Sequence, residues 1–157
     1  MLVKDAKKAG VDGLIIPDLP PEEAGFLIRV AHRAGLSTIF FLSPTTPRNR
    51  VKPIAQASSG FIYYVSLTGV TGERKALAQS IFQNIRAAKR LTDKPICVGF
   101  GISTPEQVKQ VAKVADGIIV GSAIVKQIER EQNQNAGKNH LVANVAHFVR
   151  TLVEAGK

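Results

Sequence analysis

The chain has 157 residues, 45% hydrophobic and 21% charged, a composition that suits a globular protein but a length short of the roughly 250 residues of a complete (β/α)8 barrel. Basic side chains outnumber acidic ones 21 to 12, yet Lys4, Lys7, Lys8, Arg48, Arg50, Lys52, Arg86, Lys89, Arg90, Lys109 and Lys113 are dispersed at helix-face spacing without interleaved aromatic residues; a solvated surface accounts for them, and no nucleic-acid partner is expected. No apolar run is long enough to span a bilayer, the N-terminus lacks the features of a secretory leader, and Cys97 is the only cysteine, so no intrachain disulfide is possible and a cytoplasmic setting is expected.

In chain order, residues 2–9 read as the end of a helix stopped by Gly10, and Asp12 to Pro17 as a buried strand. Pro20-Pro21-Glu22-Glu23 predicts a helix start, with proline and acids where free N–H groups and the helix dipole favour them; that helix runs to about Ala34. Ser37 to Leu42 is the next strand, followed by a turn with Pro44 and Pro47 and a helix over about 49–57. Phe61 to Val65 is a strand, residues 66–75 a loop, and Leu77 to Leu91 a long helix. Pro95 to Val98 is a strand, and Thr104-Pro105-Glu106 opens a helix with a cap and a first-position proline. Gly117 to Val120 is the last strand, Ser122 caps a short helix, the polar stretch 131–139 is a flexible loop, and a final helix covers 140–155.

Strands that are apolar on both faces and alternate with helices predict a parallel sheet, either open and doubly wound or a segment of a closed barrel; periodicity does not separate the two. Three glycine-rich loops follow strands: Thr68–Gly72, Gly99–Ser103 and Gly121–Ala123. Glycine lets backbone N–H groups approach a ligand closely, and a helix N-terminus adds free donors and a favourable dipole, so the loops predict a site for a phosphorylated small molecule. A dinucleotide fingerprint and a P-loop lysine are both absent, which argues against a nucleotide. His32, His140 and His147 lie on helical stretches away from these loops, no metal-ligand cluster is visible, and no cofactor pattern occurs. Ser66, Ser103 and Ser122 have no histidine–acid partner pattern, which rejects a serine hydrolase.

The segments Ile15–Glu23 (IIPDLPPEE), Tyr63–Gly72 (YYVSLTGVTG), Gly99–Ser103 (GFGIS) with Pro105–Val108, and Ala115–Val125 (ADGIIVGSAIV) together resemble tryptophan synthase alpha chains, in that family's order and over nearly the whole chain. The resemblance implies an α/β fold, a partial (β/α)8 TIM barrel of five parallel strands with flanking helices. Residues 1–157 would be a single C-terminal part of a phosphate-binding barrel, with its fourth to eighth strands. It implies a lyase of tryptophan biosynthesis that cleaves indole-3-glycerol phosphate by a retro-aldol reaction into indole and glyceraldehyde 3-phosphate.

By the same resemblance Gly72, Gly101, Gly121 and Ser122 offer donors to the substrate phosphate, with Thr71 and Gly99 shaping the pocket. Phe100 packs along the substrate and Tyr63 lies near the reacting centre; for both, core packing is the other reading. Asp18 falls near the contact with the tryptophan synthase beta chain, the partner that holds pyridoxal phosphate; a turn or helix cap is its other reading. The loops near Asp18–Glu22 and Pro44–Arg48 would face that chain in a heterotetramer. The family's two acid–base carboxylates come from the second strand and the loop after it and match nothing here, so the chain is expected to bind phosphate without cleaving substrate alone. It is also expected to self-associate or to pair with the missing N-terminal half. The alternatives are a non-catalytic phosphate- or partner-binding half-barrel, or another phosphate-binding barrel enzyme, against which the GVTG and PDLPPEE segments speak.

Overall fold

A computed structural model describes residues 2–65, 74–99, 101–133 and 137–157, with side chains described from residue 81 onward in the second stretch. The elements are α1 (Leu2–Lys8), β1 (Gly13–Ile15), α2 (Gly25–Arg33), β2 (Ser37–Leu42), α3 (Arg48–Ala57), β3 (Ile62–Val65), α4 (Arg74–Lys89), β4 (Ile96–Gly99), α5 (Pro105–Val111), β5 (Gly117–Ile119), α6 (Ser122–Asn133) and α7 (Lys138–Ala155). The strands form one five-stranded sheet in the order β1-β2-β3-β4-β5, and every pairing is parallel.

That order decides between the two topologies left open by the sequence. A doubly wound sheet reverses its strand order at a switch point. Here each strand adds beside its predecessor without reversal, and right-handed crossovers then place all connecting helices on one face. This is the topology of an arc of a (β/α)8 barrel.

The ladders align the helix-facing residues in rows. Phe40, Ile62 and Ile96 are level across β2, β3 and β4, and Leu42, Tyr64, Val98 and Ile118 form the next row. Together with Val51 and Ile54 of α3 and Ile81 and Ile85 of α4 they build the main core; Ile62, Ile85, Ile96 and Val98 are fully buried. The opposite face carries Phe41, Tyr63, Cys97 and Gly117 in one row and Val65, Gly99 and Ile119 in another. A smaller cluster of Val3, Ala31 and Leu36 ties α1 and α2 together.

Several expected boundaries shift: α4 runs from Arg74 to Lys89 rather than from Leu77 to Leu91, and three further shifts have a local reason. β1 ends at Ile15 rather than Pro17, because residues 16–19 form a turn in which the Leu19 N–H donates to Ile16 O. α2 begins at Gly25, not at Pro20. The two prolines have no N–H to donate, and residues 21–24 close as tight turns in which the Glu23 and Ala24 amides reach Pro20 O and Pro21 O. The expected loop 131–139 is helical at both ends: residues 131–133 complete α6, and α7 begins at Lys138. Glu131 is only 4% exposed. Its carboxylate accepts from Gln127 Nε2 at 2.8 Å and from Asn144 Nδ2 at 2.6 Å, which binds α6 to α7. The cap at Thr104 forms as expected: Pro105 occupies the first helical position and Gln107, not Glu106, closes the reciprocal box.

At the edge of the sheet opposite the glycine loops, Asp116 holds β4 to β5. Its carboxylate accepts from the Ile96 N–H at 2.9 Å and from Lys89 Nζ at 2.6 Å. Partial burial pushes the Asp116 carboxyl up, but the Ile96 amide and the hydrogen bond and charge of Lys89 outweigh it and hold the group below its ordinary value. A depressed carboxylate stabilises the fold fully above its unfolded pKa of about 3.9, and that contribution is lost as pH falls through the lower folded value. Thermal unfolding followed against pH should therefore show the midpoint falling only below about pH 4, and Asp116→Asn should lower the midpoint at neutral pH and flatten that acid limb.

Candidate phosphate-binding site

All strands are parallel, so all their C-terminal ends lie at one rim. The register makes that rim level: Val65 pairs with Gly99, and Gly99 with Ile119. The segments that leave β4 and β5 therefore start from neighbouring points.

After β4, Gly101 is exposed and has φ of 76°, a left-handed conformation that glycine adopts without the Cβ penalty. Beyond it, the Ser103 and Thr104 N–H groups both donate to Gln107 Oε1, at 2.8 and 3.1 Å. Those two amides are thus committed within the protein, and the cap of α5 stiffens the loop that presents Gly101. After β5, Gly121 and Ser122 are exposed, and a Cβ added at Gly121 would meet nothing within 4 Å. Gly121 O accepts from the Ile124 N–H at 2.9 Å and the Val125 N–H at 3.2 Å, which closes the first turn of α6. The N–H groups at the start of that helix have no intrahelical acceptor, and the helix dipole adds partial positive charge where they point. Exposed N–H donors and a helix N-terminus at one rim are a combination that can receive an anion.

Tyr63 is placed by two contacts on the face away from the helices. Its ring meets Phe41 edge-on, with centroids 5.3 Å apart at 64°. It also covers Gly99: a Cβ there would lie 2.6 Å from Tyr63 Cε2 and 2.8 Å from Cζ, and nearer still to the hydroxyl oxygen. Gly99 is thus needed where the Tyr63 ring sits. Cys97 lies in the same row as Tyr63, with its Sγ 2.7 Å from where a Cβ on Gly117 would stand. Burial, and then the charge of Asp116, push the Cys97 thiol up, so it stays protonated and is no activated nucleophile.

Asp18 is exposed in the turn after β1, and no hydrogen bond or ion pair holds it among the described residues. The adjacent Glu22 does have a partner: Arg50 Nη2 donates to its two carboxylate oxygens at 2.7 and 2.8 Å, linking the segment after β1 to α3. Thr71, Gly72 and Phe100 lie outside the described residues. The structure thus groups Gly99, Gly101, Gly121, Ser122 and Tyr63 at or just below one rim, and puts Asp18 at the end of β1, three strands from β4. Sequence reasoning missed Phe41, Gln107 and the Glu22–Arg50 link. Phe41 and Tyr63 were findable as same-parity residues of adjacent strands; the other two depend on side-chain reach that spacing does not show.

A parallel arc of this order, in which each strand adds beside its predecessor, defines a segment of a (β/α)8 barrel. The model of the family "Tryptophan synthase alpha chain" matches residues 1–155. The chain belongs to the tryptophan synthase alpha chain family. It is 48% identical over 151 residues to the tryptophan synthase alpha chain of Geobacter sulfurreducens, covering 96% of this chain and 55% of that one. It is 47% identical over 133 residues to that of Methanocaldococcus jannaschii, covering 85% and 47%. Among solved structures it superimposes on a chain of the Pyrococcus furiosus tryptophan synthase a2b2 complex with a TM-score of 0.82 and 34% identity, covering 98% of this chain and 60% of that one. A chain of Mycobacterium tuberculosis tryptophan synthase gives 0.80 and 28%, covering 99% and 55%. The chain thus spans about half the length of the curated relatives it matches.

Gly99→Ala tests the packing of Tyr63. The added methyl would drive the ring from its place beside Phe41, at a cost of about 1–3 kcal/mol typical of overpacking. A lowered unfolding midpoint and an altered near-ultraviolet tyrosine signal are expected, and an unchanged signal would refute the contact.

Proposed function

We propose that this chain supplies the phosphate-binding half of an alpha-type tryptophan synthase active site, which cleaves indole-3-glycerol phosphate into indole and glyceraldehyde 3-phosphate. The observation that supports the reading is the level rim: Gly99 pairs with Ile119, so the segments leading to the exposed Gly101 and to the exposed start of α6 leave adjacent strands at one height. In this reading the Gly101, Gly121 and Ser122 amides hold the substrate phosphate, with Gly72 donating from the loop after β3 and Thr71 and Gly99 shaping the pocket. Fixed amides need no reorganisation to meet an anion, so the phosphate anchors the substrate while its reacting bond lies over the sheet interior, near Tyr63. Phe100 lies along the substrate.

The retro-aldol step needs an acid to protonate the indole carbon and a base to take a proton from the substrate. Neither role falls to a described rim residue of this chain, and Asp18, exposed at the β1 end, is assigned to the partner interface instead. The two carboxylates are assigned to the portion of the barrel that this chain does not span in its relatives. Partnership with a tryptophan synthase beta chain follows from the family and from the a2b2 assembly named for the Pyrococcus furiosus structure. The Glu22–Arg50 link would hold the partner-facing segments together. A cytoplasmic setting goes with this reading; no described helix is long and apolar enough to cross a membrane.

Calorimetry should show weak binding of glycerol 3-phosphate to the chain, abolished by Ser122→Asp, which sets a negative charge against the bound phosphate. Indole release from indole-3-glycerol phosphate should require a second polypeptide carrying the first three strands of the barrel. Turnover by the pure chain alone would overturn the division of labour, and unaltered binding in Ser122→Asp would overturn the rim as the phosphate site.

β1 and β5 each pair on one side only among the described residues, and Ile15 at the end of β1 is 45% exposed. Open strand edges recruit other strands. Light scattering should show self-association of the chain that the same second polypeptide suppresses; a concentration-independent monomer would count against it.

A further inference from the structure

On the helix-bearing side of the sheet, α3 and α4 are separated by a cleft of about 500 Å³. Both walls are helices of this chain and the floor belongs to β2 and β3, so strands that completed the barrel would not occupy it. Leu42, Val51 and Leu91 give it an apolar lining. Arg48, the first residue of α3, Arg86 of α4 and Arg90, just past the end of that helix, also line it, and among the described lining residues none is acidic. None of the three arginines is in an ion pair among the described residues, where the pairs found are Glu22–Arg50 and Lys89–Asp116.

Tyr64 contributes to the floor. It is only 2% exposed, and its hydroxyl has no hydrogen-bond partner among the described residues. Burial pushes the phenol up; the Asn84 amide, which also lines the cleft, is near enough to oppose that shift without meeting hydrogen-bond geometry. A buried hydroxyl without an acceptor is costly, and native proteins seldom leave one without a reason. Unpaired arginines around an apolar cleft, over a phenol with an unused donor, are complementary to one kind of molecule.

We propose that the α3–α4 cleft is a binding site for a small organic anion, distinct from the phosphate rim. Its apolar body would lie on Leu42 and Leu91, and its phosphate or carboxylate would sit among Arg48, Arg86 and Arg90, with an acceptor atom for the Tyr64 hydroxyl. Guanidinium groups pair with either oxyanion through parallel N–H donors, so the cleft geometry selects charge and size before it selects the acid.

The test is a titration of the alanine-methyl-labelled chain with phenyl phosphate and, separately, benzoate, followed by NMR. Ala87 and Ala88 line the cleft, whereas Ala123 lies in α6 at the rim, so the spectra report which site fills. Saturable shifts of the Ala87 and Ala88 methyls with either probe at millimolar concentration are expected, and the tighter probe identifies the preferred oxyanion. The double variant Arg86→Gln, Arg90→Gln should weaken binding about tenfold or more. Tyr64→Phe should weaken it too while leaving the ligand-free unfolding midpoint unchanged or raised, because it removes an unpaired polar group. Shifts confined to Ala123, no shifts with either probe, or equal affinity in the variants would overturn the proposal. So would a lowered ligand-free midpoint in Tyr64→Phe, which would mean that the phenol is already satisfied within the protein.

Discussion

The register of the parallel ladder is the constraint on which the rest of the structure depends. Side chains alternate faces with a period of two, so a slip of one residue between β3 and β4 would send the Ile62–Ile96 row to the wrong side and bring Tyr63 among the helices. The buried rows on the helical face make such a slip prohibitive, since Ile62, Ile96 and Val98 are all fully enclosed there. Hydrophobic packing on one side of the sheet thereby fixes a geometry used on its rim. Val65, Gly99 and Ile119 end level because the core beneath them admits one alignment.

The face away from the helices follows a second rule, in which large side chains lean over glycines of the neighbouring strand. Tyr63 covers Gly99, Cys97 abuts Gly117, and Ile39 comes within 3.0 Å of where a Cβ on Gly13 would be. A glycine in a strand weakens it locally and permits close approach. Here the approach places an aromatic ring one strand from the Gly101 loop and fixes it against Phe41. The same residues that shape the interior of the arc thus position the group nearest the reaction in the proposed function, and stability and site geometry cannot be varied independently at Gly99.

The strand–helix alternation was legible because β-branched and aromatic runs are short, strongly apolar and bounded by Gly, Pro or caps. The choice between an open sheet and a barrel arc was not, because strand order is a tertiary property that local pattern does not encode; the family resemblance supplied it. The start of α2 was misplaced for a definite reason: Pro20 and Pro21 look like first-turn residues, but with two donors removed the chain closes as successive tight turns before an α-helix begins. The polar stretch at 131 hid a buried acid, since Glu131 is invisible to hydropathy and is accommodated by the amides of Gln127 and Asn144, one of them thirteen positions away. At the site, the glycines announced backbone exposure, while the use of the Ser103 and Thr104 amides by Gln107 could not be seen without coordinates.

The excess of basic residues now divides into distinct uses. Arg50 links two segments at the rim and Lys89 supports Asp116 at the opposite edge, both as partly exposed pairs of modest individual worth. In the proposed function the rim needs none of the excess, because amide hydrogens and the end of α6 would meet the anion, and these are fixed in the backbone and do not have to be ordered when it arrives. Arg48, Arg86 and Arg90 are different, since among the described residues they have no ion-pair partner and they gather around one cleft although dispersed in sequence. Flexible cations of this kind lose side-chain entropy on binding and so suit a ligand that comes and goes, whereas preorganised amides suit a substrate that must be held still. Under the two proposals the sheet separates two modes of anion recognition, rigid at its rim and adaptable on its helical face.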